Sequence, residues 1–164
     1  MSTLISIRTG TKPSTPSSWV TEVSTEQVFD LSINACLDNL LKVRQYINQM
    51  GERLGVSEGA LADLRLAVDE AVTNVIIHGY GDLDGLVELH MEREGDAVII
   101  RIRDRAKTFD PSNINAPQLD AALKDRPFGG MGIFLIKKMT DEAEFLPLPG
   151  GGNEIRLVKY NAIG

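Results

Sequence analysis

The longest regular pattern in the sequence is LADLRLAVDEAVTNVIIHGYG, from Leu61 to Gly81. Its apolar residues recur at intervals of three and four, so the spacing predicts an amphipathic helix with one buried face. Ser57 is a favourable N-cap and Glu58 places a negative charge in the first turn, so we expect the helix to begin there and to stop at Gly79. The apolar stripe consists of Leu61, Leu64, Val68, Ala71, Val72 and Val75.

The polar side of this helix carries a candidate site. Glu70 and Asn74 are four residues apart, which separates their side chains by only about 40° around the helix axis. His78 extends the same row by one more turn. A carboxylate beside a carboxamide can orient a hydroxyl group and can bind Mg²⁺ through oxygen. On spacing alone, a solvated helix face is the commoner explanation.

Two more helices and five strands are predicted around this helix. Helical spacing occurs in 37–50, where Gly51 and Gly55 mark the end, and again in 130–139. The predicted strands are 23–33, 86–92, 97–103, 143–146 and 153–160. Because most consecutive strands are joined by short turns, the expected fold is α+β. We expect a two-layer sandwich in which helices pack on one face of a mostly antiparallel, mixed sheet.

Composition limits the function classes. The 164 residues carry 17 basic and 23 acidic side chains, a net charge of −6, and a nucleic-acid-binding protein usually has a basic surplus. The single cysteine, Cys36, cannot form an intramolecular disulfide, which fits a reducing compartment. No apolar run approaches the roughly 18 residues that a membrane helix needs. The expectation is a cytoplasmic protein that binds neither nucleic acid nor membrane directly.

The chain is predicted to hold one folded domain. Residues 1–20 include nine Ser or Thr and two Pro, a composition that is typical of a flexible tail, although the apolar Leu4, Ile5, Ile7 and Trp19 could add an edge strand. Residues 21–164 have ordinary globular composition and about the length of one domain.

A second candidate site is the glycine-rich stretch RPFGGMG, from Arg126 to Gly132, which opens the third helix. Amides in the first turn of a helix are unpaired, and glycines let a phosphate approach them. Arg126 adds positive charge nearby. A glycine-rich hinge without a ligand explains the stretch equally well.

A third candidate is Asp104, which follows a predicted strand and precedes RAKTFDP. A carboxylate there can accept a hydrogen bond from an exocyclic amine such as that of adenine, although Asp alone is more often a turn residue. The irregular stretch 104–129 contains three prolines, and loops of that length are often lids or binding loops.

Together these segments resemble the ATP-binding domain of the gyrase, heat-shock chaperone, histidine kinase and mismatch-repair superfamily. The closest resemblance is to its small stand-alone branch, the bacterial anti-sigma factor serine kinases. The similar stretches are DEAVTNVIIHGYG (69–81), GGMGIFLIKKMTDE (129–142) and GGNEIRLVKY (151–160), within a resemblance that spans roughly 25–161.

The resemblance implies a site for ATP and Mg²⁺. Glu70 takes the position of the general base, Asn74 holds Mg²⁺ together with the phosphates, and Asp104 meets the adenine. Residues 110–128 correspond to a lid over the nucleotide. The implied nucleotide-binding residues are Asn74, His78, Asp104, Ala106, Arg126, Gly129, Gly130, Met131, Gly132 and Ile133.

One position departs from the family pattern, because Ala106 stands where the family usually has glycine. If the family needs glycine there because the backbone has a positive φ, alanine at this position costs on the order of 1 kcal/mol of conformational strain. If the glycine serves only close approach, a methyl group is tolerated against the adenine.

The implied function is transfer of phosphate from ATP to a serine or threonine of a STAS-type anti-anti-sigma protein, which competes with a sigma factor for the kinase. A homodimer is also implied. An alternative is a nucleotide-binding or partner-binding switch module without kinase activity. A third possibility, the ATPase half of a histidine kinase, needs a phosphoacceptor histidine in a dimerisation helix. The two histidines are His78, in the helix pattern, and His90, in a predicted strand.

Overall fold

The computed structural model describes residues 30–108 and 130–164. The helices are α1 (Leu40–Leu54), which follows a 3₁₀ turn at Leu37–Asn39, α2 (Glu58–Asn74), which continues into a π-helical segment (Val75–Tyr80), and α3 (Gly130–Met139). The strands are β1 (Leu31–Asn34), β2 (Leu86–Glu94), β3 (Ala97–Asp104), β4 (Glu142–Pro147) and β5 (Asn153–Lys159).

The five described strands form one sheet in the order β1-β2-β3-β5-β4, and every neighbouring pair is antiparallel. The predicted hairpin is present between β2 and β3, where Gly95 has a φ of 61° between the paired residues Glu94 and Ala97. The antiparallel prediction is confirmed. The prediction of a mixed sheet differs from the structure, because no parallel pair occurs among the strands of residues 30–108 and 130–164.

Two layers enclose the core. Alternate residues of the central strands, such as Leu89 and Ile102, are fully buried against apolar side chains of the helices, among them Leu64, Val68 and Ile136. The opposite face of the sheet carries charged side chains, with Arg103 Nη2 2.7 Å from Glu154 Oε2 on the neighbouring strand. This arrangement confirms the α+β sandwich.

Two element boundaries differ from the prediction. Gly51 does not end α1 but lies inside it, where a Cβ atom would meet the side chain of Leu61 at 2.5 Å, so the glycine allows α1 and α2 to pack closely. Gly55 ends the helix in the left-handed conformation, with a φ of 74°. At the first strand, Leu31–Asn34 is observed, whereas the rest of the predicted 23–33 lies outside the described residues.

The end of the second helix also differs in geometry. The predicted helix stops at Gly79, but α-helical bonding ends at Asn74 and wider π-helical turns follow. The Gly81 N–H donates to the Ile76 carbonyl across five residues, at 3.0 Å. Such π segments are rare and are often found at functional sites. Along residues 30–108 and 130–164, no helix combines the length and apolarity needed to cross a membrane.

Candidate functional site

The first two candidate motifs meet between α2 and α3. A Cβ atom added to Gly132 would lie 3.0 Å from Asn74 Nδ2 and 3.1 Å from Glu70 Oε2. The carboxamide and the carboxylate therefore lie side by side against the bare backbone of the α3 first turn. The structure brings Glu70 and Asn74 together with Gly132, which lies about 60 positions further along the chain.

Local sequence accounts for this geometry. The Ser57 hydroxyl accepts a hydrogen bond from the Ala60 N–H and caps α2, and buried Leu64 and Val68 hold the helix against the core. Glu70 and Asn74 are half-buried beside that apolar stripe. Gly130 begins α3 as the sequence predicts, so the unpaired amides of the first turn lie in the segment that contains Gly132.

The Asp104 carboxylate forms a separate buried cluster at the end of β3. Its exposed fraction is 2%, and Oδ1 accepts hydrogen bonds from the Ala106 N–H at 2.8 Å and from Asn153 Nδ2 at 2.9 Å. Burial raises the pKa of Asp104, and the hydrogen bonds from Asn153 and Ala106 oppose that rise. The carboxylate is thus an anchored acceptor and not a solvated turn residue.

The π-helical segment runs from the Glu70–Asn74 pair towards the Asp104 cluster. Gly79 lies against Ala106, since a Cβ atom at position 79 would be 3.0 Å from the Ala106 Cβ. Along the chain, Gly79 follows Asn74 by five residues. The Glu70–Asn74 pair and the Asp104 cluster therefore lie at the two ends of one continuous helical stretch.

The structure decides between the two explanations offered for Ala106. Among the described residues, Asn161 is the one non-glycine residue with a positive φ. The backbone-strain explanation for Ala106 is therefore wrong. The alanine methyl is instead buried in the core beside Gly79.

Sequence reasoning missed Tyr80 and Asn153. The Tyr80 hydroxyl accepts a hydrogen bond from the Arg105 N–H at 2.8 Å and donates to the Leu86 carbonyl at 2.7 Å. Tyr80 could have been found from the sequence, because the hydroxyl of a buried tyrosine usually needs a hydrogen-bond partner. Asn153 gave no such signal, because its role depends on strand register.

The remaining predicted residues have different outcomes. His78 is exposed, and the π-helical geometry after Asn74 interrupts the regular row that the spacing suggested. Ile133 is buried in the core, so its side chain packs there, while Met131 is half-buried. Arg126, Gly129 and the predicted lid at 110–128 lie outside the described residues.

His90 lies in β2, where Nδ1 is 3.0 Å from Asp30 Oδ2. Neither histidine lies in a regular α-helix of the described chain. Residues 30–108 and 130–164 therefore contain no histidine in the kind of helix that carries the phosphoacceptor of a histidine kinase.

The donor set fits magnesium bound together with a phosphorylated ligand. Asn74 offers a neutral oxygen, which Mg²⁺ accepts, and Mg²⁺ usually keeps phosphate oxygens and waters as its other ligands. No group of three or more His, Cys, Asp or Glu side chains that could hold a metal ion by itself occurs in the described parts of the chain. The space beside Gly132 would be filled by any larger side chain.

The sequence of this chain is similar to those of known proteins. Residues 33–159 match the family model of the histidine kinase-like ATPase domain. The chain is 32% identical over 100 residues to an anti-sigma F factor of Thermoanaerobacter sp. (strain X514), covering 61% of this chain and 70% of the relative. It is 28% identical over 143 residues to the serine-protein kinase RsbW of Staphylococcus aureus, covering 84% and 89%.

A solved structure shares the fold. The RsbU and RsbW domains of Rv1364c from Mycobacterium tuberculosis superpose with a TM-score of 0.54 at 19% identity, covering 79% of this chain and 32% of that one. The match of the family model to most of the chain, on a fold of the same class, identifies the family. The chain belongs to the histidine kinase-like ATPase domain family.

Proposed function

We propose that this chain is an ATP-dependent serine/threonine protein kinase that acts as an anti-sigma regulatory factor. The observation that carries the proposal is the convergence of Glu70 and Asn74 on Gly132. Phosphoryl transfer depends on positioning and charge neutralisation, and a carboxylate, a carboxamide and a bare helix N-terminus can supply both.

Each residue has a separate role. The Glu70 carboxylate accepts the proton of the attacking hydroxyl group. Asn74 Oδ1 is the protein ligand for Mg²⁺, and the amides of Gly130 to Ile133 donate to phosphate oxygens. Asp104 accepts a hydrogen bond from the adenine amine. Bound ATP would supply the phosphoryl group and leave as ADP, and Mg²⁺ would neutralise the phosphate charge.

The relatives suggest the partners. Their names describe an anti-sigma F factor and a serine-protein kinase. By that likeness, the chain sequesters a sigma factor and phosphorylates a STAS-type anti-anti-sigma protein, in the cytoplasm and as a homodimer. The proposed kinase domain is 21–164, with 1–20 as a tail.

The alternative is a switch module that binds nucleotide or partner without phosphoryl transfer. Ala106, in place of the family's usual glycine, is the residue that favours this alternative. With no positive φ at Ala106, that support is weaker, while Glu70 stays in place beside Asn74. A module without catalysis has no use for a base at that point.

The test mixes the purified chain with Mg-ATP carrying a labelled γ-phosphate and with STAS-domain proteins from the same organism. We expect label on a serine or threonine of one STAS protein. Bound nucleotide without any transfer would support the switch module. Failure to bind nucleotide at all would contradict the kinase and would leave only a module that binds a partner protein.

A further inference from the structure

Asn153 is the residue that holds the buried Asp104 carboxylate from the neighbouring strand. It is the first residue of β5 and is paired in register with Asp104, the last residue of β3. Its exposed fraction is 8%, and its Nδ2 lies 2.9 Å from Asp104 Oδ1. This amide is therefore an interior hydrogen-bond donor that faces a carboxylate.

The same nitrogen has a second acceptor. Nδ2 also donates to the Lys107 carbonyl at 3.1 Å. A carboxamide nitrogen has two hydrogens, so these two bonds use both of them. One side chain thereby fixes the carboxylate and the first residues of the loop that follows β3.

Backbone packing leaves little freedom at this point. Gly152 has a φ of 92°, and a Cβ atom there would lie 2.2 Å from the Asp104 carbonyl oxygen. The start of β5 is therefore pressed against the end of β3. This backbone contact keeps the start of the Asn153 side chain close to Asp104.

We propose that Asn153 is the positioning residue for base recognition: its amide holds the Asp104 carboxylate as an acceptor, which favours adenine over guanine nucleotides. This inference rests on the nucleotide site of the proposed function. Adenine presents an amine donor at its 6-position, whereas guanine presents a carbonyl oxygen there. An acceptor oxygen held in place by N–H donors pairs with the adenine amine and is repelled by the guanine carbonyl oxygen.

A purely structural role makes a different prediction. Loss of a buried hydrogen bond destabilises the fold but affects both nucleotides alike. A positioning role changes the ratio of the two affinities, because an unpaired polar group at a recognition site affects discrimination strongly. The ratio of the ATP and GTP dissociation constants separates the two roles.

The experiment measures both constants by calorimetry with Mg²⁺ for the full chain and for Asn153→Ala. We expect the preference for ATP to fall by about tenfold, a change of 1.4 kcal/mol. Asn153→Ser keeps one donor and should retain most of the preference. Thr140→Val is the matched control, because it removes another buried side-chain hydrogen bond, to the Ile136 carbonyl, away from Asp104. Its ratio should stay unchanged.

If Asn153→Ala does not fold, Asn153→Leu keeps about the same side-chain volume without the donors and should lose the preference in the same way. An unchanged ratio in the folded Asn153 variant, in a chain that binds ATP, overturns the positioning role and leaves the proposed function intact. A wild-type chain that binds neither nucleotide overturns both.

Discussion

Gly79 faces the methyl group of Ala106 so closely that a Cβ atom at position 79 would lie 3.0 Å from the Ala106 Cβ. The contact joins the π-helical segment to the end of β3. Gly79 does not have a positive φ, so alanine is acceptable to its backbone and only the neighbouring methyl opposes it.

The first prediction concerns this pair. Gly79→Ala should lower the free energy of unfolding by about 1 kcal/mol through overpacking. Ala106→Gly in the same chain should restore most of it, because it removes the opposing methyl. Urea unfolding of both single variants and the double variant measures the coupling. Strictly additive effects would mean that the two residues do not press on each other.

The second prediction concerns Gly132. Gly132→Ala should fold normally, because the atoms in its way are the ends of the Asn74 and Glu70 side chains, which can shift. That shift should weaken Mg-ATP binding by about tenfold or more. Gly59→Ala is the matched control, since nothing lies within 4 Å of a Cβ atom there. Equal ATP affinity in the two variants would contradict the placement of the phosphates beside Gly132.

The third prediction concerns the base. Glu70→Gln keeps the shape of the side chain and removes its capacity to accept a proton. Phosphate transfer to the STAS partner should fall by about 10²-fold to 10⁴-fold. ATP affinity should change little, and calorimetry on the same samples provides that control. Transfer at the wild-type rate would exclude Glu70 as the base.

The fourth prediction concerns Asn74. At a concentration 100 times its dissociation constant, Mg-ATP should stabilise the wild-type chain by roughly 2.7 kcal/mol. Asn74→Ala should show little of that stabilisation, because it removes the proposed protein ligand for Mg²⁺. Thermal unfolding with and without Mg-ATP measures both. A full thermal shift in the variant would assign the metal to other residues.

The fifth prediction concerns pH. Burial raises the folded-state pKa of Asp104 above the value of about 3.9 expected in the unfolded chain. Its contribution to stability is therefore fully present below that value and is lost as the pH rises through the folded-state pKa. Compared with Asp104→Asn, the wild-type chain should lose relative stability from about pH 4 upward and then level off. Urea unfolding at several pH values checks this, and a relative gain over the same range would reverse the sign.

The local pattern of the sequence was sufficient for most elements. Periodicity and turn residues placed α3 and the hairpin between β2 and β3 to within two residues. The meeting of Glu70 and Asn74 with the glycine-rich turn followed from the resemblance, since spacing alone allowed a solvated face. The π-helical segment was not predictable, because VIIHGY has the apolar spacing of an ordinary helix that ends in glycine.

Non-local geometry accounts for the rest. The hydrogen bond between Asn153 and Asp104 depends on the register of β3 and β5, which a sequence without coordinates does not specify. The φ of Ala106 depends likewise on how the chain leaves β3. Residues 126 and 129 lie outside the described chain, and their roles stay predictions.

Tyr80 has a consequence for how the molecule can move. One phenol oxygen bridges the Arg105 amide and the Leu86 carbonyl, while the tyrosine ring covers Gly85 so tightly that a Cβ atom there would be 2.0 Å from the ring. A displacement of the chain at Arg105 must therefore be transmitted to the start of β2, or else break that bridge. The Tyr80 hydroxyl thus couples movement at Arg105 to Leu86, in addition to the strand pairing of Asp104 with Val87.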